Sequence, residues 1–102
     1  NLSASAAEMA EIAEAIGIDC SRMDEASAAQ AAIGEIARLF AAIGITPTLK
    51  DLGLAADRLD WTSEQALGIE RLIKNNPRTI DLGAMRRLVQ AAYDGDLAAA
   101  AI

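Results

Sequence analysis

Along nearly the whole chain apolar residues return every three or four positions, and glycine or proline cuts that rhythm into separate lengths. A 3.6-residue period gathers such residues on one side of a helix, whereas a strand needs them at every second position. Outside these lengths apolar–polar alternation never lasts four positions, and β-branched residues are sparse, so no strand is predicted. The expectation is an all-α fold, with residues 1–102 as a single domain built from a compact array of about five helices packed through narrow alanine-lined seams.

The punctuation sets the helices. Ser3 or Ser5 can accept from the free amides of an opening turn, after which Met9, Ile12, Ala13 and Ile16 make an inward face and Glu8, Glu11 and Glu14 lie opposite. Gly17 stops this helix because glycine takes the left-handed conformation at little cost, and Ile18 can fold back over the last turn. The same phrase, Ala-Ile-Gly-Ile, returns at Ala42 to Ile45, ending a longer helix that starts near Asp24 and carries Ile33, Ile36, Phe40 and Ile43 on one stripe. The helices before the two stops share no further order, so the repetition is capping chemistry used twice and not a duplication.

Thr46-Pro47-Thr48 restarts the chain, and Thr48 with Asp51 has the spacing of a capping pair, giving a one- or two-turn helix closed by Gly53. Thr62 with Gln65 repeats that spacing and predicts a helix burying Ala66, Ile69, Leu72 and Ile73. Pro77 cannot continue it and biases Asn76 away from helical geometry, which puts a turn at Asn75 to Arg78. Thr79 or Asp81 then caps a last helix facing Leu82, Met85, Leu88, Val89 and Ala92 inward, with Gly95 as its end and Asp96 to Ile102 as a tail that frays or docks.

An apolar fraction of 53% with modest charge is that of a globular chain. Only Phe40, Trp61 and Tyr93 are aromatic, and at roughly 25 cal/mol per Å2 of apolar surface an alanine-rich core yields far less than a Leu/Phe-rich one. Either marginal stability alone or a flat apolar face made for another body follows. The net charge of −6 argues against nucleic acid as a partner, since such binding draws on Lys and Arg displacing counterions; a helix-turn-helix reader is the weakest reading. Cys20 is the single cysteine, which fits a reducing compartment; no apolar run reaches the roughly 20 residues that span a bilayer, and the first residues given lack the basic-then-apolar order of a signal peptide. No membrane partner is therefore expected, and the cytoplasm is the expected location. The chain opens at Asn1-Leu2 without Met, which suggests a piece of something longer.

Several chemistries are missing. There is no histidine, so imidazole bases, Ser-His or Cys-His pairs and His-rich metal sites have no donor, and neither glycine-rich phosphate-loop pattern occurs. No catalytic, cofactor-binding or metal-binding residue is assigned. Glu8, Glu11 and Glu14 could hold a hard cation but read first as a solvated face. Cys20 could be a reactive thiol but reads first as a small buried or half-buried apolar residue, Trp61 could stack on a ligand ring but reads first as a staple against Gln65 and Ala66, and Arg86 and Arg87, about 100° apart, read as surface cations that cannot line one groove.

The run Lys74-Asn75-Asn76-Pro77-Arg78-Thr79 is different, because its amides and guanidinium project from a proline-fixed corner suited to fixing a chain segment or the edge of a pocket. Beside this stands a purely structural reading, in which Asn75 or Asn76 caps a helix and Arg78 pairs with Glu70 or Asp81. With the closing Leu88-Val89-Gln90-Ala91-Ala92-Tyr93, the Ile43-Gly44-Ile45-Thr46-Pro47 connection and Thr48-Leu49-Lys50-Asp51-Leu52-Gly53-Leu54, the run resembles the C-terminal segment of the iron-containing, group III, alcohol dehydrogenases. Four motifs occur in that family's order and spacing, over nearly the whole chain.

The resemblance implies a dehydroquinate-synthase-like helical region that forms the C-terminal part of a two-domain enzyme. NAD(P) in an N-terminal α/β domain and a divalent metal, iron or zinc, held by one Asp and three His would both lie before Asn1. The remaining polypeptide is then the partner, a homo-oligomer is compatible, and the 102 residues alone are expected to be inactive and structural. By the same resemblance Leu72, Asn75, Asn76 and Arg78 form the wall of the substrate cleft. Family members often carry an acidic residue and a cysteine or small polar residue before Asn-Pro-Arg; Glu70, Leu72 and Ile73 here make a more apolar wall, implying an alcohol or aldehyde other than the short diols. The competing reading is a freestanding helical interaction module whose alanine-lined faces bind a partner helix.

Overall fold

The computed structural model describes residues 1–45 and 48–100. They are all-helical, without a strand: α1 (Ala6–Ala15), α2 (Glu25–Ala42), α3 (Leu59–Leu67), α4 (Glu70–Ile73), α5 (Leu82–Asp94) and α6 (Leu97–Ala100), with a 3-10 turn at Ala56–Arg58. Contacts group the chain into two units, Asn1–Ile45 and Thr46–Ile102. The expected restart at Thr46-Pro47 and the last residues of the tail lie outside the described residues.

In the first unit α1 and α2 form a hairpin. Asp24 caps α2, its Oδ1 accepting from the Ser27 N–H at 2.7 Å. Ser5 stands at the start of α1 but makes no side-chain capping bond. Both Ala-Ile-Gly-Ile phrases end their helices in the same way. Gly17 (φ 94°) and Gly44 (φ 76°) occupy the left-handed region, and the following Ile18 and Ile45 N–H groups donate back to Ala13 and Phe40 carbonyls at 3.0 Å. Ile18 then packs against the core.

That core corrects the expected inward faces. It consists of Ala13, Ala28 and Ala32, with Ala10, Ile18 and Cys20 packed around it and Ala29 also buried. Ile12, Ile16, Ile36, Phe40 and Ile43, expected inside, are exposed, while Met9 and Ile33 are half-buried. Methyl side chains let two helix backbones approach closely, and larger residues are then left at the margins of the contact.

In the second unit Thr48 Oγ1 accepts from the Asp51 N–H at 3.0 Å, one turn forms, and Gly53 (φ 91°) closes it. The Leu49 N–H donates to the Ala92 carbonyl at 3.0 Å, fixing this turn to α5. The chain is already helical at Leu59, so Thr62 is not a cap, and the expected single helix breaks after Leu67 into α3 and α4, with Ile69 at ψ 70° between them. Trp61 consequently sits in the first turn of α3, 55% exposed, and not as a staple. Ser63 is buried, its hydroxyl donating to the Leu59 carbonyl at 2.8 Å. Ile69 and Leu72, expected inside, are exposed.

Asp81 caps α5 by accepting from the Ala84 N–H at 2.7 Å, and Gly95 ends it. Met85, Val89 and Ala91 form its buried face; Ala92, expected there, is exposed. Asp60 of α3 accepts from Arg86 Nε of α5 at 2.9 Å. The tail expected to fray or dock begins with α6, which packs on α5 and is started by an Asp96 carboxylate that accepts from the Ala99 N–H at 2.9 Å.

Candidate functional site

The Asn75–Arg78 corner joins α4 to α5, and its rigidity comes from side-chain amides. Asn75 Nδ2 donates to the Arg71 carbonyl at 2.9 Å, filling one of the acceptors that the last turn of α4 leaves open. Asn76 Nδ2 donates to the Arg78 carbonyl at 2.6 Å across Pro77. The α4 backbone tightens at the same point, with Asn75 and Asn76 N–H groups donating to Leu72 and Ile73 carbonyls. Each amide thus braces its own corner.

Of the four residues singled out in the sequence, Leu72, at 58% exposure, and Arg78 present side chains outward. The capping half of the structural reading is observed at Asn75. The ion-pair half is not, because Arg78 forms no ion pair with Glu70 or Asp81. The Asp81 carboxylate serves the Ala84 N–H instead. The Arg71 carbonyl was not singled out in the sequence, although its i, i+4 spacing to Asn75 is the signal that could have found it.

Elsewhere the residues weighed for chemistry have local roles. Glu8, Glu11 and Glu14 are exposed on α1, and Cys20 packs half-buried on the alanine cluster. Arg86 and Arg87 do border one concavity, correcting the expectation that they cannot; it is a shallow open hollow of about 380 Å3 between α5 and α6, shared with Gln90, Asp94 and Asp96. Gln90 Nε2 donates to Asp94 there at 2.7 Å, so part of its lining is already satisfied internally.

The divalent metal that the resemblance implies does not fit this chain's own groups. Histidine is absent from the sequence, and among the described residues no three Cys, Asp or Glu side chains stand close enough to hold an ion. No helix among them is long and apolar enough to cross a membrane.

The model of the Fe-containing alcohol dehydrogenase family, C-terminal, matches residues 1–93. A curated relative, long-chain-alcohol dehydrogenase 1 of Geobacillus thermodenitrificans (strain NG80-2), is 28% identical over 89 residues, covering 87% of this chain. The chain spans 22% of the length of that relative. No solved structure matches. A family match extending from Asn1 into the last turn of α5 does not favour a freestanding interaction module, and the chain belongs to the iron-containing alcohol dehydrogenase family, whose C-terminal helical region it represents.

Proposed function

We propose that the chain is the C-terminal helical portion of an iron-dependent, NAD(P)-linked alcohol dehydrogenase that interconverts alcohol and aldehyde by hydride transfer. The metal and the nicotinamide are held by the rest of that polypeptide, since the donors present here do not fit the ion. This chain is a scaffold: it completes the helical domain and closes the back of the active site, and by itself it is inactive.

The observation that carries the reading is the braced corner with its two outward groups. Asn75 and Asn76 hold the backbone, leaving the Leu72 side chain and the Arg78 guanidinium as a cleft wall, one apolar and one cationic. Leu72 with the exposed Ile69 makes that wall suited to an alkyl chain more than to a second hydroxyl. The substrate class is therefore an apolar primary alcohol or its aldehyde, in keeping with the long-chain alcohol in the relative's name.

The test is to purify the protein encoded by the gene that carries this chain and to follow nicotinamide reduction with primary alcohols of increasing length and with a short diol. Turnover that a chelator removes and that favours the longer alcohols is expected. Absence of nicotinamide-linked turnover with every alcohol would refute the reading.

A further inference from the structure

We propose that the distal half of α2 is the face on which this chain docks to the rest of the dehydrogenase, and that its occupant is an uncharged apolar helical surface supplied by polypeptide upstream of Asn1. The proposal rests on the preceding reading that the chain is one part of a larger enzyme. Ala28, Ala29 and Ala32 are buried on α2, Ile36, Leu39 and Phe40 are exposed on it, and Ile43 is exposed at its C-cap, continuing the same side. At 100° per residue all seven fall on one side of the helix, within an arc of about 120°. A single stripe therefore runs the length of α2, covered where its residues are methyl groups and uncovered where they are large.

Helix length explains the change. α2 has 18 residues and α1 has 10, so α2 outruns its partner by about 12 Å, or roughly two turns. The uncovered residues stand at i, i+3, i+4 and i+7, the spacing by which a helix seats in an apolar groove. Phe40 is 44% and Ile43 62% exposed.

The chemistry of the stripe selects its occupant. No charged residue lies within its uncovered half, since Glu25, on the same side, stands at the alanine end, and Glu35 at its border is bonded to Arg38, so nothing at the distal end attracts a charged surface. A second copy is disfavoured: residues 1–45 carry seven acidic and two basic side chains, so two such faces meet with like charge. In a hairpin α1 starts beside the uncovered end of α2, which is where polypeptide preceding Asn1 would arrive. The relative supplies the length, since the chain spans only 22% of it.

The experiment uses the intact gene product in a C20S background, with a single cysteine introduced as F40C or I43C and, as an exposed control, E11C. Maleimide labelling is timed with nicotinamide turnover measured on the same samples, and repeated across protein concentrations. With turnover retained, labelling at positions 40 and 43 slowed about 100-fold or more against position 11, independent of concentration and released by denaturant, supports the proposal. Labelling within about threefold of the control overturns it, as does protection that appears only at high protein concentration, which would identify a second copy. Loss of turnover in the unsubstituted protein counts against the enzyme reading instead, so the two failures are separable.

Discussion

Gly95 ends α5 facing Thr48 so closely that a β-carbon on the glycine would stand 2.9 Å from Thr48 Cγ2. The Leu49 N–H bonds the Ala92 carbonyl beside this contact, so the helix end and the Thr48–Gly53 turn are held as one piece.

Gly95→Ala combines two costs, a left-handed backbone at φ 76° and a clash with a side chain whose backbone neighbour is pinned. Destabilisation of about 2–3 kcal/mol is expected in urea unfolding. Gly17→Ala meets open space and carries the backbone cost alone, about 1 kcal/mol. Equal losses for the two variants would mean that the Thr48 contact contributes nothing.

The N-cap of α2 makes acid sensitivity predictable. Hydrogen bonds from the Ser27 side chain and then its backbone N–H hold the Asp24 carboxyl below its ordinary value of 3.8. A folded-state value below the unfolded one gives stability that is full above the unfolded value and is lost as pH falls through the folded one. Loss of α2 helicity is thus expected as pH drops below about 3.8. Asp24→Asn keeps an acceptor but cannot titrate, so its far-ultraviolet circular dichroism should fall less steeply over that range; superimposable acid curves would remove the cap from the account.

Thr62 and Ser63 are adjacent hydroxyls in opposite situations. Ser63 donates to the Leu59 carbonyl, whereas Thr62 Oγ1 is buried with no hydrogen-bond partner among the described residues. Thr62→Val should therefore be neutral or stabilising by up to about 1 kcal/mol, and Ser63→Ala should cost about 1 kcal/mol. Thermal melts of the two variants decide it, and a Thr62→Val loss as large as the Ser63→Ala loss would show that the hydroxyl has a partner.

How far these features were legible follows from their range. Helix ends depend on neighbours in sequence, and Gly17, Gly44, Gly53, Gly95, Asp24, Thr48 and Asp81 all act where the sequence places them. The start at Thr62 was misread because its spacing to Gln65 satisfies a capping pair, while the chain had already turned at Ala56–Arg58. Inward faces depend on what packs against them. Periodicity finds the stripe holding Ile36, Phe40 and Ile43, yet α1 reaches only its alanine end. At the corner, capping by an Asn75 or Asn76 amide is an expectation the sequence supports, but which carbonyl each amide takes, and whether Arg78 prefers Glu70, Asp81 or neither, depends on the direction the corner imposes.

Leu72 tests the proposed cleft wall. In the intact enzyme Leu72→Gln should raise KM for a long-chain alcohol about 10-fold with little change in kcat, because an exposed apolar contact made equally in ground and transition states is removed. A short alcohol should be affected about threefold or less. Equal effects on both alcohols would place Leu72 away from the substrate.

The central claim is that these imidazole-free helices support an active site whose reacting groups lie on other parts of the polypeptide. Its most direct test is nicotinamide-linked alcohol oxidation by the 102 residues alone, supplied with iron or zinc and either cofactor, beside the intact protein under the same conditions. Turnover by the intact protein and none by the isolated chain is the predicted result. Metal-dependent turnover by the isolated chain would contradict it.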